Sequence, residues 1–218
     1  MKFVYVAFAI FLGVNFLTSS SVMAQVSFLE VGEPYEPYLL AEDMSQQQVV
    51  YSELLGFPDL YEFELAATST IPVQVRAVDE TAEVNFSLIL VADEGNAGVR
   101  EIFRLPARQS VWQLYTDTST RMSYLVGEVL EPELAPGIYR LEVSTPDNEG
   151  RYSIIFGEES STVGYFARFG EIRSIHNFHG YGPLSMFRTA HVYMPILIVI
   201  VLFGLFFTWR YARRNRLV

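Results

Sequence analysis

The sequence predicts a mainly β protein: an antiparallel, jelly-roll-like β-sandwich followed by a juxtamembrane helix and one C-terminal transmembrane helix. Three observations predict it. About eight short β-rich runs succeed one another between Val49 and Phe156, broken by Gly, Pro, Asp and Asn, with no long helical period among them. The segment Val163 to His179 then changes to a helical period. Finally, Thr189 to Trp209 contains no Asp, Glu, Lys or Arg, enough for a span of ~20 residues.

The elements follow in order. Residues 1–24 read as a secretory signal, with Lys2 as the positive start, an apolar run from Phe3 to Leu17, and "SSVMA" as a small-residue exit. Residues 25–48 are expected to form an extended lead-in, because "GEPYEPYLL" carries two prolines and "SQQQ" is polar. The sandwich is expected over 49–160. Its runs include "YEFEL", "PVQVRAV", "EVNFSLILVA", "VREIFRL", "SVWQLY" and "MSYLVGEVL". In the last two runs Tyr139, Leu141 and Val143 alternate with polar residues, as do Tyr152, Ile154 and Phe156. "TPDNEG" between them is expected to close a hairpin, Pro146 and Asp147 starting the turn and Gly150 supplying a positive φ.

Residues 161–188 are expected to form a juxtamembrane amphipathic segment. At 100° per residue, Tyr165, Phe166, Phe169, Ile172 and His176 fall in one arc of about 120°, with Arg168 and Arg173 at its margins. Aromatics on one face flanked by arginines suit a helix lying among lipid headgroups, so Tyr165, Phe166, Phe169 and Ile172 are assigned to the membrane interface. Packing of that face on protein is the equal alternative. "HGYGP" then breaks the helix before the span at 189–209, where Tyr193 and Trp209 mark the two interfaces. Pro195 is expected in the first turn, where its missing N–H costs nothing. In the tail, 210–218, the basic residues Arg210, Arg213, Arg214 and Arg216 follow the positive-inside bias. That places the tail in the cytoplasm and the body outside the plasma membrane.

Charge narrows the function classes. Residues 25–187 hold all 25 acidic residues against nine arginines, leaving −16. A body this acidic repels nucleic acid and anionic headgroups. No cysteine is present, so no disulfide or thiol chemistry is available. The three histidines, His176, His179 and His191, all follow the sandwich. A Ser-His-Asp or Cys-His arrangement inside it is therefore impossible, and so is a nitrogen- or sulfur-rich zinc site. No cofactor is expected. The alternative occupant of the 145–150 turn is calcium, with Asp147 and Glu149 as ligands beside "DETAE" (79–83) and "DEGN" (93–96). Calcium needs six to eight oxygens from several loops, so solvated turns are the favoured reading.

The order "PDLYEFEL" (58–65), "SLILVADEGN" (87–96) and "LAPGIYRLEV…GRYSIIF" (134–156) resembles the bacterial pre-peptidase C-terminal domain, a small jelly-roll sandwich often appended to secreted proteins. The segment from Val99 to Leu130 is longer than the middle of that family. The layout as a whole is also similar to uncharacterised single-pass bacterial surface proteins. The expected function is non-enzymatic: a membrane-anchored extracytoplasmic sandwich that binds or presents a protein or glycan partner, with the lipid bilayer as its other partner. A structural subunit assembling through the juxtamembrane helix and span is the alternative. A carboxylate-based glycan hydrolase ranks below both.

Overall fold

The computed structural model describes residues 21–22, 25–28, 34–40, 44, 47–78, 85–107, 111–157, 162–163 and 165–215. They fall into two compact units. One holds the strands, and the other holds residues 117–122 together with the chain from 166 onward.

The first strands are β1 (Ser21–Val22), β2 (Gln25–Phe28), β3 (Pro37–Leu39), β4 (Gln48–Leu55) and β5 (Asp59–Leu65). Next come β6 (Ser69–Thr70), β7 (Val73–Ala77), β8 (Ser87–Asp93), β9 (Val99–Leu105) and β10 (Gln113–Thr116). The last are β11 (Ser123–Val126), β12 (Glu133–Leu134), β13 (Gly137–Ser144), β14 (Glu149–Phe156) and β15 (Thr162–Val163). Two sheets carry the sandwich, in the orders β10-β11-β7-β14-β4-β2 and β3-β5-β13-β8-β9.

Alternation makes these strands. In β5 Tyr61, Phe63 and Leu65 are buried while Glu62 and Glu64 face outward, and β7, β8 and β13 repeat the period of two. One core runs between the sheets. Leu88, Leu90, Leu141 and Val143 face it from one side and Val73, Val75, Ile154 and Phe156 from the other, all fully buried. Aromatic rings fill the middle, Phe63 stacking on Tyr139 at 5.5 Å and tilting against Phe156 at 6.2 Å.

Two expectations need correction. β13 and β14 do not pair with each other. β13 lies between β5 and β8 at the centre of one sheet, and β14 between β4 and β7 at the centre of the other. The turn between them is an arch across the core, not a hairpin. Alternation fixes which side of a strand is buried but not which strand lies beside it. Both runs point their apolar side at the same core from opposite sheets.

The lead-in is also part of the sandwich. β2 pairs parallel with β4, and β3 pairs parallel with β5. Prolines bar the interior of a sheet but not its edge, and β3 begins at Pro37 on an edge. The sheets are therefore mixed, mostly antiparallel with these two parallel additions. Within the expected leader, Ser21 and Val22 pair with β15, and residues 1–20 lie outside the described residues.

The second unit contains helix α1 (Tyr165–Phe178), a 3-10 turn (Pro183–Arg188) and helix α2 (Ala190–Arg214). Among the described residues α2 is the one helix long and apolar enough to cross a membrane. Its 25 residues rise about 37 Å, more than the ~30 Å of a bilayer's hydrocarbon. Pro195 lies in its second turn and not the first, at the cost of one helical hydrogen bond.

Candidate interaction surfaces

Thr145 organises the arch. Its hydroxyl is shared between the Asp147 carboxylate (3.0 Å) and the Glu149 carbonyl (3.1 Å), and it accepts the Glu149 amide (3.0 Å). That bond holds the Asp147 carboxyl below its ordinary range. Asn148 takes φ 51°, a left-handed position asparagine tolerates, and Gly150 takes φ 127° as its sequence position suggested. Asp93 accepts the Gly95 amide at 2.8 Å and pairs with Arg140 at 3.2 Å, while Glu94 pairs with Arg100 at 2.6 Å. Residues 79–83 lie outside the described residues. Among the described residues no three His, Cys, Asp or Glu side chains are grouped to hold a metal ion.

A carboxylate does lie inside the sandwich. Asp59 is 9 % exposed, and its Oδ2 accepts the hydroxyls of Ser52 and Tyr152, each at 2.5 Å. Tyr152's proton being committed there, Tyr61 donates to the Tyr152 oxygen at 2.7 Å. Burial pushes the Asp59 carboxyl up, and the two hydroxyls pull it partly back. Burial likewise pushes both tyrosines up. Sequence reasoning missed this chain of hydroxyls. Asp59 opens a strand, where a carboxylate carries no sign of burial, and nothing in the period separates a core-facing tyrosine from a hydrogen-bonded one.

The sheet edges differ sharply. The β9 edge is guarded by charge: Arg104 pairs with Glu101 at 2.8 Å, Arg100 with Glu94, and the β8–β9 register shifts between Leu90 and Val91. β3 is three residues long. β2 has no charge, but its described side chains, from Val26 to Phe28, are half-buried. β10 is the exception. All four of its residues are exposed, Leu114 at 66 % and neighbouring Val111 at 71 %, and no charged residue lies between Val111 and Thr116. Its outer side pairs with no described strand. On its inner side Arg76 lies over the Tyr115 ring at 5.2 Å.

In the second unit, α1 is helical where the period predicts it, but its buried stripe is turned. Arg168, Ile172, Ile175 and His176 are buried, while Phe169 is exposed. At 100° per residue this stripe is rotated by roughly 70° from the expected arc. Ile172, expected at the headgroups, is fully buried with Met186 and Val192 in a core of the unit's own. The side chains of Tyr165 and Phe166 lie outside the described residues. Arg168 lies inside the stripe and not at its margin, its long stem able to cover apolar surface. Burial pulls its guanidinium down and pushes the Glu171 carboxyl up, opposed by their mutual attraction and by Asp117.

His176 ties the unit together. Its Nε2 donates to the Thr120 carbonyl at 2.9 Å, and its Nδ1 lies 2.5 Å from the Ser185 hydroxyl. The Asp117 carboxylate shapes the 117–122 turn by accepting from Ser119 and Thr120. In α2, Tyr193 and Trp209 are exposed near its two ends, and the Arg213 guanidinium lies 5.7 Å from the Trp209 ring. Arg210, Arg213 and Arg214 belong to the helix and are exposed, whereas Arg216 lies outside the described residues.

No protein-family model matches the chain, and no curated protein matches it. Among solved structures it is similar to the pre-peptidase C-terminal domain of a collagenase from Bacillus anthracis. That match has 15 % identity and a TM-score of 0.31, covering 64 % of this chain and 98 % of that one. It is also similar to CorA, a surface-associated copper-binding protein important in copper acquisition in Methylomicrobium album BG8. Here identity is 10 % and the TM-score 0.18, over 69 % of this chain and 92 % of that one. Overlap this slight adds nothing to what the sheets themselves establish.

Proposed function

We propose that the chain is a non-enzymatic, single-pass anchored sandwich that stands outside the plasma membrane and docks an extended segment of a protein partner along β10. The observation that carries this reading is the contrast between edges. Charge and a register shift guard β9, whereas β10 offers exposed apolar side chains and an open backbone with no charge. An added strand would gain main-chain hydrogen bonds there, with specificity from alternate side chains. A body at −16 favours a neutral or basic segment. Anchoring by α2 raises the local concentration of the sandwich against other surface components. The four arginines after the span support a cytoplasmic tail.

The alternative, a structural subunit assembling through the juxtamembrane helix and span, needs a free face on that helix. The buried stripe of α1 is already occupied by Met186 and Val192, which weakens it. A photo-crosslinking side chain at Leu114 of the full-length protein should give a protein adduct in native membranes. Val111→Lys with Gln113→Lys should abolish it, and the same side chain at Arg104 should give none. Equal adducts from both edges, or one indifferent to the lysines, would overturn edge docking. A glycan adduct in their place would transfer the reading to glycan binding.

A further inference from the structure

We infer that the 3-10 turn Pro183–Arg188 is a membrane-contact element that seats Leu184 and Phe187 in the lipid headgroup region beside the entry of α2. The turn presents two sides. Met186 is buried with Ile172 and Val192, while Leu184 is 78 % and Phe187 53 % exposed. Residues three apart in a 3-10 helix eclipse one another, so these two side chains project together. Tyr181, just before the turn, is also exposed.

Its position is fixed from both directions. Thr189 caps α2 and donates both its amide (3.0 Å) and its hydroxyl (2.7 Å) to the Met186 carbonyl. Ser185 donates its amide to the Gly182 carbonyl at 3.0 Å and lies 2.5 Å from His176. The apolar pair therefore cannot turn inward without giving up Met186's place in the core.

Continuity and charge identify the occupant as lipid. Phe187 precedes the first residue of α2 by three positions, at most about 11 Å of chain, which keeps it close to the ~5–8 Å interfacial layer on each side of a bilayer. The last acidic residue of the chain is Glu171, and the turn ends in the exposed Arg188. This stretch thus lacks the negative charge that keeps the body away from headgroups.

The inference rests on α2 spanning the membrane, and the experiment separates the two. The chain has no cysteine, so single substitutions label cleanly. Full-length protein carrying a nitroxide at Leu184→Cys, Phe187→Cys, Val201→Cys or Leu39→Cys is reconstituted in vesicles of mixed zwitterionic and anionic phospholipid. Collisions with oxygen and with a water-soluble nickel complex are then compared. The oxygen-to-nickel ratio at 184 and 187 should exceed that at the exposed sandwich position 39 several-fold, and fall below that at 201. A high ratio at 201 with aqueous values at 184 and 187 would overturn the contact while leaving the span intact. Shielding of 184 and 187 from both probes would replace lipid by protein. An aqueous value at 201 would remove the span, and this inference with it.

Discussion

Asp59 shows how one side chain couples the core to pH. Its carboxyl is raised by burial, so the folded protein holds the proton more tightly than the unfolded chain, whose value is near 3.8. A raised carboxyl contributes stability that is fully present below the unfolded value and is lost as pH rises through the folded one. Asparagine keeps one oxygen to accept the hydroxyls of Ser52 and Tyr152 but does not titrate. The melting temperature of Asp59→Asn minus that of the parent should therefore increase between pH 3.5 and neutrality. A difference independent of pH would show that Asp59 ionises without cost. Tyr152→Phe tests the same chain from the other end. It strips a donor from Asp59 and an acceptor from the buried Tyr61 hydroxyl, so it should cost about 1–3 kcal/mol in denaturant unfolding.

Between residue and fold stand the elements, and here the limits of a sequence pattern become physical. Alternation in β13 and β14 was legible because one side of each strand is buried; that they occupy opposite sheets was not, because pairing depends on distant neighbours such as β5 and β4. Helix α1 was legible from its period. The facing of its stripe was not, because Arg168 counts as polar in any pattern and is nevertheless buried in the stripe. The Thr120 carbonyl that receives His176 sits 56 residues away, and backbone acceptors leave no trace in a sequence.

The arch offers a sharp test at this scale. Gly150 takes φ 127°, and a Cβ there would meet the Phe86 ring at 3.3 Å. Gly150→Ala should cost about 1–3 kcal/mol by thermal unfolding, whereas Asn148→Gly, at a position already left-handed, should be nearly neutral. Equal effects would mean that the arch is not set by its backbone. In the second unit His176→Leu should cost about 1–3 kcal/mol, leaving the Thr120 carbonyl without its histidine donor while the Ser185 hydroxyl keeps the Gly182 carbonyl. Hydrogen exchange should then speed up at the amides of 119–122, and unchanged rates would show that the histidine is dispensable there.

For the whole molecule the governing feature is where charge lies along the chain. All 25 carboxylates precede residue 172, no charge interrupts 189–209, and arginines crowd the end. A single arginine at the centre of such a span costs about 2.5–3.5 kcal/mol on insertion scales, so Leu202→Arg should lower the ratio of alkali-resistant to alkali-extracted protein roughly a hundredfold. Orientation follows from a different term, because basic residues flanking a span are retained on the cytoplasmic side, whereas Asp and Glu contribute little to that choice. The absence of native cysteine makes it measurable with one reagent. In intact cells a membrane-impermeant maleimide should label Leu39→Cys at once and Asn215→Cys only after permeabilisation. If the arginines set that orientation, replacing Arg210, Arg213, Arg214 and Arg216 together by glutamine should raise labelling at 215 in intact cells. Prompt labelling of Asn215→Cys in the parent would invert the topology and put β10 in the cytoplasm, beyond reach of any surface partner. Protection of 215 that survives loss of all four arginines would keep the orientation but assign it to the N-terminal segment.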